Sequence, residues 1–168
     1  MILGEIYNNY GFVASNEEVY FDALVRSELI DWMCAYEFGT CVDDAMNQFT
    51  SWMDITVPTD ENNPIAVDIK SPVYNTAIRN GDASYWDFLF GRYLDSQVDG
   101  EKQRMIYGLG SSEDETKIIE FLDKTISANS GIRPQHTRYV YRAVGSTAIG
   151  RIAQFDCCLL YTSDAADE

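Results

Sequence analysis

Histidine is almost missing from this sequence: His136 is the only one in 168 residues. A hydrolytic zinc site of the His-Glu-x-x-His kind needs two imidazoles one turn apart on a helix face, so that motif is excluded. A Ser/His/Asp or Cys/His device would have to use His136, and its neighbours Arg133-Pro134-Gln135 and Thr137-Arg138 form no nucleophile elbow. Its residue type and its place in a helix's first turn predict an exposed side chain. Bases are also scarce, 12 against 27 acids, for a net charge of −15. Such a chain lacks the Lys/Arg density that neutralises phosphates, which argues against nucleic-acid binding. It is equally unsuited to docking on an anionic membrane surface, and its negative surface is first of all a soluble one. No stretch of about 18 apolar residues exists to span a bilayer. Residues 1–10 lack the basic start and long apolar core of a signal peptide, so Met1 reads as an internal methionine of a longer chain. No Asn-x-Ser/Thr sequon and no strand-like alternation of useful length occur.

What is present is helical periodicity. Ser15 with Glu18 forms a capping box ahead of a helix over 19–36, in which Phe21, Leu24, Val25, Leu29, Trp32, Met33 and Tyr36 recur at three- and four-residue spacing. A second helix is expected over 42–53, with Ala45, Met46, Phe49, Trp52 and Met53 on one side. Residues 57–64 hold two prolines and four turn-formers and read as a loop. Helices follow over 69–79, ended by Asn80-Gly81, from Asp82 through Tyr93, and over 100–109. After the break at Gly110-Ser111-Ser112, Ser112 with Glu115 makes a second capping box ahead of Ile118, Ile119, Leu122 and Ile126. Pro134 suits the first turn of a helix ending near Gly145, and a last helix is expected over 148–155. Helix pairs over 69–96, 100–128 and 134–155 recur at roughly 30–35 residues, the spacing of helical-repeat solenoids, without a shared consensus. The expected fold is all-α: antiparallel helical hairpins stacked as an α-solenoid, a HEAT/armadillo-like superhelix. It occupies residues 1–157. Residues 158–168, Cys-Leu-Leu-Tyr-Thr-Ser-Asp-Ala-Ala-Asp-Glu, resemble a translated sequencing-adapter read-through and are set apart as an artefactual tail.

Small constellations mostly read as structure. Gly108-Leu109-Gly110 lacks the further glycines and lysine of a phosphate loop and reads as a helix C-terminus. Glu113-Asp114-Glu115 lies where negative charge complements a helix dipole. Cys34 ends one helix and Cys41 begins the next. Zinc would want two more ligands nearby, and none is visible. Two readings stay open: free core thiols, or a disulfide pinning the helix–turn–helix, whose hairpin brings the two Cα atoms within bridging range.

Colinear fragments then add up to a resemblance. Ser71-Pro72-Val73-Tyr74-Asn75-Thr76-Ala77-Ile78-Arg79-Asn80-Gly81, followed by Tyr85-Trp86-Asp87-Phe88-Leu89, resembles the "V-Y-C-x-A-I-x-x-G" and "W-x-F-L" stretches of the C-terminal domain of aminopeptidase N-type zinc enzymes (gluzincins). Glu101-Lys102 and Tyr107-Gly108-Leu109-Gly110-Ser111 resemble that family's "E-K … A-L-G-C" segment, and Ser130-Gly131-Ile132-Arg133-Pro134-Gln135 its "I-R-x-Q-D" signature. Leu24-Val25-Arg26, Cys34, Cys41, Ala45, Phe49 and Trp52 are similar to its front stretch. Tyr141-Arg142-Ala143-Val144 and Ile149-Gly150-Arg151 continue the match, which covers residues 4–156.

The resemblance implies that Cys34 and Cys41 form the family's first disulfide, hence an oxidising, extracellular or cell-surface setting. It implies a membrane-anchored parent attached through missing parts. The family's second bridge would join positions 75 and 111, occupied here by Asn75 and Ser111, and His136 stands where the family commonly carries Asp. The implied parent is a zinc metalloaminopeptidase that removes N-terminal residues from peptides. Zinc and the catalytic motifs would lie upstream, outside this chain, so no catalytic, cofactor-binding or metal residue is expected within it. The chain would cap and shape the substrate chamber of its own upstream catalytic domain. The implied partners are that domain and peptide substrates, with a homodimer of the parent as a further possibility. A different class of function, a free-standing α-solenoid scaffold that binds another protein without enzymatic activity, remains as the alternative.

Overall fold

The computed structural model describes Tyr7, residues 10–12 and residues 19–164. The capping box at Ser15 and Glu18 lies outside the described residues. From residue 19 onward the described chain is all-helical: α1 (Tyr20–Ala35), α2 (Cys41–Met53), α3 (Lys70–Asn80), α4 (Ala83–Asp95), α5 (Asp99–Leu109), α6 (Glu115–Ile126), a 3-10 turn (Pro134–His136) continuing into α7 (Thr137–Val144), and α8 (Ala148–Asp164). Each helix buries the stripe that its spacing marks. In α2 this is Cys41, Ala45, Phe49 and Trp52; in α3, Val73, Tyr74, Ala77 and Ile78; in α5, Met105, Ile106 and Leu109. The stripes recur every three or four residues, so one face of each helix meets its neighbours.

Packing runs along the chain in steps of two. α1 packs on α3, α3 on α5 and α5 on α7, while α2 lies against α3, α4 against α5, and α6 against both α7 and α8. Aromatic side chains tie the flanking helices together. Trp52 stacks on Tyr74 at 5.6 Å between ring centroids, and Phe49 meets Tyr85 and Phe88 at 5.6 and 5.7 Å, which joins α2, α3 and α4. Trp86 meets Phe121 edge-on at 5.6 Å, which joins α4 to α6. Such pairs contribute about 0.5–1.5 kcal/mol each beyond the area they bury. The central helices α5 and α3 approach closely because Gly108 has no side chain: a Cβ there would meet the Tyr74 Cβ at 2.9 Å.

The structure departs from the sequence reading at three helix ends. α6 begins at Glu115 with Asp114 as its cap, whose carboxylate accepts from the amides of Thr116 and Lys117. Ser112 instead caps the preceding turn, its hydroxyl accepting from the Asp114 amide, so the Ser112–Glu115 capping box is not formed. A carboxylate one residue from the helix simply outcompetes the more distant hydroxyl. Pro134 does sit in a first turn, but of a 3-10 turn that precedes α7. α8 runs on to Asp164 instead of ending near 155, because no glycine or proline interrupts residues 151–164.

The 54–69 segment connecting α2 to α3 has no helix of its own and is held by side chains. Thr59 and Asn62 bond reciprocally, the Asn63 amide donates to Tyr74 Oη at 2.8 Å, and Ile65 and Ile69 are buried. Arg92 donates to the Pro58 carbonyl, and Ser96 to Asp60 at 2.6 Å, which lays the loop over the end of α4.

Candidate functional site

His136 is the largest departure from expectation. Predicted to be exposed, it is 0% accessible. The 3-10 turn before α7 places its ring between the C-terminal end of α4 and the start of α5. Nδ1 lies 3.0 Å from Tyr93 Oη and Nε2 lies 3.0 Å from Asp99 Oδ1. Arg133 approaches the same Asp99 oxygen at 3.6 Å, and its backbone amide donates to Tyr93 Oη at 3.5 Å. The carboxylate partner of Arg133 is therefore Asp99, on α5. Asp99 sits below the usual carboxylate range because Gln103 and then His136 hydrogen-bond its charged form. Tyr93 is pushed up by burial. Lys102, itself buried, donates to the carbonyls of Tyr93 and Leu94 at 2.6 and 3.3 Å and lies over the Tyr93 ring. Burial lowers its pKa, with Arg133 adding to the effect. The signal that would have found this brace is spacing: positions 136, 140 and 144 fall on one helix face, and Val140 and Val144 are both buried.

Further ion pairs tie the helices together, one of them buried on both sides. Lys70 Nζ stands 3.2 Å from Glu101 Oε2 between α3 and α5, and Arg104 pairs with the other Glu101 oxygen. Arg26, 1% exposed, donates to Asp68 at 2.5 Å and to the Phe12 carbonyl at 3.4 Å, linking α1 to the loop before α3. These groups neutralise one another, so the seam holds helices in register.

Cys34 and Cys41 are joined by a disulfide with a Cα–Cα distance of 5.0 Å. The bridge closes the α1–α2 turn, where Glu37 (φ 52°) and Gly39 (φ 61°) take left-handed backbone. Beside it, Leu24, Val25, Leu29, Trp32, Met33 and Tyr36 line an apolar hollow of about 400 Å³ on α1. A second, mixed groove of about 330 Å³ lies between residues 57–61 and 95–98. Among the described residues, no group of three or more His, Cys, Asp or Glu is placed to hold a metal ion, and no helix is long and apolar enough to cross a membrane.

The family model of the ERAP1-like C-terminal domain matches residues 1–160. The membrane alanyl aminopeptidase of Manduca sexta is 24% identical over 147 residues, 87% of this chain and 14% of that protein. Aminopeptidase Ey of Gallus gallus is 26% identical over 127 residues, 76% of this chain and 13% of the relative. Endoplasmic reticulum aminopeptidase 1 of Mus musculus is 25% identical over 129 residues, 77% and 13% respectively. The chain thus spans about one seventh of the length of the curated relatives it matches.

Proposed function

The chain belongs to the ERAP1-like C-terminal domain family, and from that premise we propose that it is the non-catalytic C-terminal portion of a zinc-dependent aminopeptidase. The observation that carries this reading is the family match over residues 1–160, set against relatives of which the chain spans only 13–14%. Among the described residues no group of His, Cys, Asp or Glu is placed to hold a zinc ion: His136 is enclosed by Tyr93 and Asp99, and Cys34 and Cys41 are joined in a bridge. The metal, and the bond-breaking chemistry on the substrate's first peptide bond, would belong to a domain upstream.

In this reading residues 1–157 form part of a stacked helical superhelix, and 158–168 are a tail foreign to it. The stepwise packing of α1, α3, α5 and α7 supports such a stack. The domain caps and shapes the chamber of the upstream catalytic domain, limiting peptide access by its wall, and the parent protein is a peptide hydrolase. The Cys34–Cys41 bridge favours an oxidising compartment. Among the relatives, one is named a membrane alanyl aminopeptidase and one an endoplasmic reticulum aminopeptidase. We place the parent at the cell surface, anchored through segments outside this chain.

The test is to recover the flanking coding sequence and express both the parent and residues 1–157. The parent should contain one His-Glu-x-x-His segment, bind zinc and hydrolyse aminoacyl-anilides, while residues 1–157 do neither. Hydrolysis by the short chain, or a parent without that zinc motif, would reject the proposal.

A further inference from the structure

Along α1 the apolar residues fall into two sets. Ile30 and Cys34 point into the core and are buried, and Met33, buried as well, reaches the edge of the hollow. Phe21, Leu24, Trp32 and Tyr36 point the other way and are 71%, 46%, 59% and 75% exposed, over a floor formed by Val25 and Leu29. A helix that is apolar on both faces is one that has neighbours on both sides. Trp32 and Tyr36, 6.2 Å apart between ring centroids, sit one turn from the disulfide, so this wall of the hollow is held in place before any partner arrives. The border of the face carries one sign of charge. Glu28 lines the hollow, Asp31 is exposed on the side toward α3, where it accepts from Asn75, and Glu37 is exposed in the turn that follows, whereas the one base of α1, Arg26, is buried against Asp68.

We infer that this face is the seat of a helix of the same polypeptide, contributed by a segment preceding residue 1, with an apolar stripe bordered by Lys or Arg. The inference rests on the reading of the chain as one portion of a longer aminopeptidase. Two further observations select this occupant. The row α1–α3–α5–α7 is continuous on one side of α1, and the open face lies on the other, so one more helix there continues the packing already seen. The chain also spans only 13–14% of its relatives, and a family named for its C-terminal position leaves most of the remaining length upstream. Spacing sets the geometry: positions 21, 25, 29, 32 and 36 advance by three and four, the pattern of helices crossing at a shallow angle of about 20°. The acidic border requires the opposite charge on the incoming helix, because like charges at that rim would repel.

Hydroxyl-radical footprinting tests this on unaltered protein, the recovered parent beside residues 1–157, with Trp32, Tyr36 and Phe21 as probes and Tyr20, 80% exposed, as a further position on the same helix. Trp52 and Trp86 are buried and act as internal references. The three probes should lose reactivity several-fold in the monomeric parent, and cross-linking should join Glu28 or Glu37 to a lysine upstream of residue 1. Probes as reactive in the parent as in the short chain would overturn the inference. So would protection that appears only as protein concentration rises, which would assign the face to a second copy. Aminoacyl-anilide hydrolysis is read on the same parent sample. An inactive parent with protected probes rejects the proposed function and leaves the docking inference standing, and an active parent with reactive probes does the reverse.

Discussion

His136 carries more of the structure than its type suggests. Enclosed between Tyr93, Asp99 and Arg133, it ties the end of α4, the start of α5 and the turn before α7 to one ring. Replacing it by alanine leaves a cavity and strips Tyr93 Oη of its main partner. His136→Ala should therefore lose about 2–4 kcal/mol of stability, read as a lower urea midpoint. Asp99→Asn should cost less, because Asp99 is half-exposed and solvent can replace the lost charge. Tyrosines supply a pH dependence. Tyr7 is pushed up to about 12, chiefly by burial and secondarily by Asp44, and burial raises Tyr74 and Tyr93 as well. The folded state holds these protons after the unfolded chain has released them. The stabilisation is thus complete below about pH 10, the ordinary tyrosine value, and is lost as pH rises through 12. Absorbance titration should show these three rings ionising after the exposed tyrosines, with the thermal midpoint falling over the same window.

The α1–α2 hairpin is closed at the element scale by a bridge seven positions apart in sequence. A loop this short restricts the unfolded chain modestly, so Cys34→Ser with Cys41→Ser should cost about 2–3 kcal/mol in the chain-entropy model. Denaturation of wild type with and without reductant should reproduce that loss, while the double variant should ignore the reductant. Most helices were legible one by one. The periodic runs around Phe49, Trp86 and Ile118 mark α2, α4 and α6 because a packed helix must show one apolar face. Ends were less legible: Asp114 displaces Ser112 as a cap, and α8 passes the expected stop. Local hydrogen-bond competition decides such ends, and several residues near each terminus can win it.

At the scale of the whole molecule the sequence is acidic, the described residues from 19 onward are all-helical, and α1 carries a bare apolar face. Residues 19–36 expose Tyr20, Phe21, Leu24, Trp32 and Tyr36 together, a patch of the kind that drives association. The short chain should self-associate at concentrations where Phe21→Ser, Trp32→Ser and Tyr36→Ser combined keeps it monodisperse in light scattering. Because these side chains contribute little to the core, the triple variant should melt within a few degrees of wild type, a shift that about 1 kcal/mol produces in a domain of this size.

Sequence alone determined the helical class, the order of the helices and the exclusion of a zinc motif, because periodicity, turn residues and a single histidine are properties of the chain itself. It also carried the family resemblance, through fragments whose order mattered more than any one of them. Tertiary structure alone decided which polar residues are enclosed. Arg26, Lys70, Glu101, Lys102 and His136 are all buried, yet the first four are of types that ordinarily face water and histidine is intermediate. Their burial depends on partners 8 to 42 positions away, and a charge becomes tolerable inside only once the fold has brought its counterpart to it.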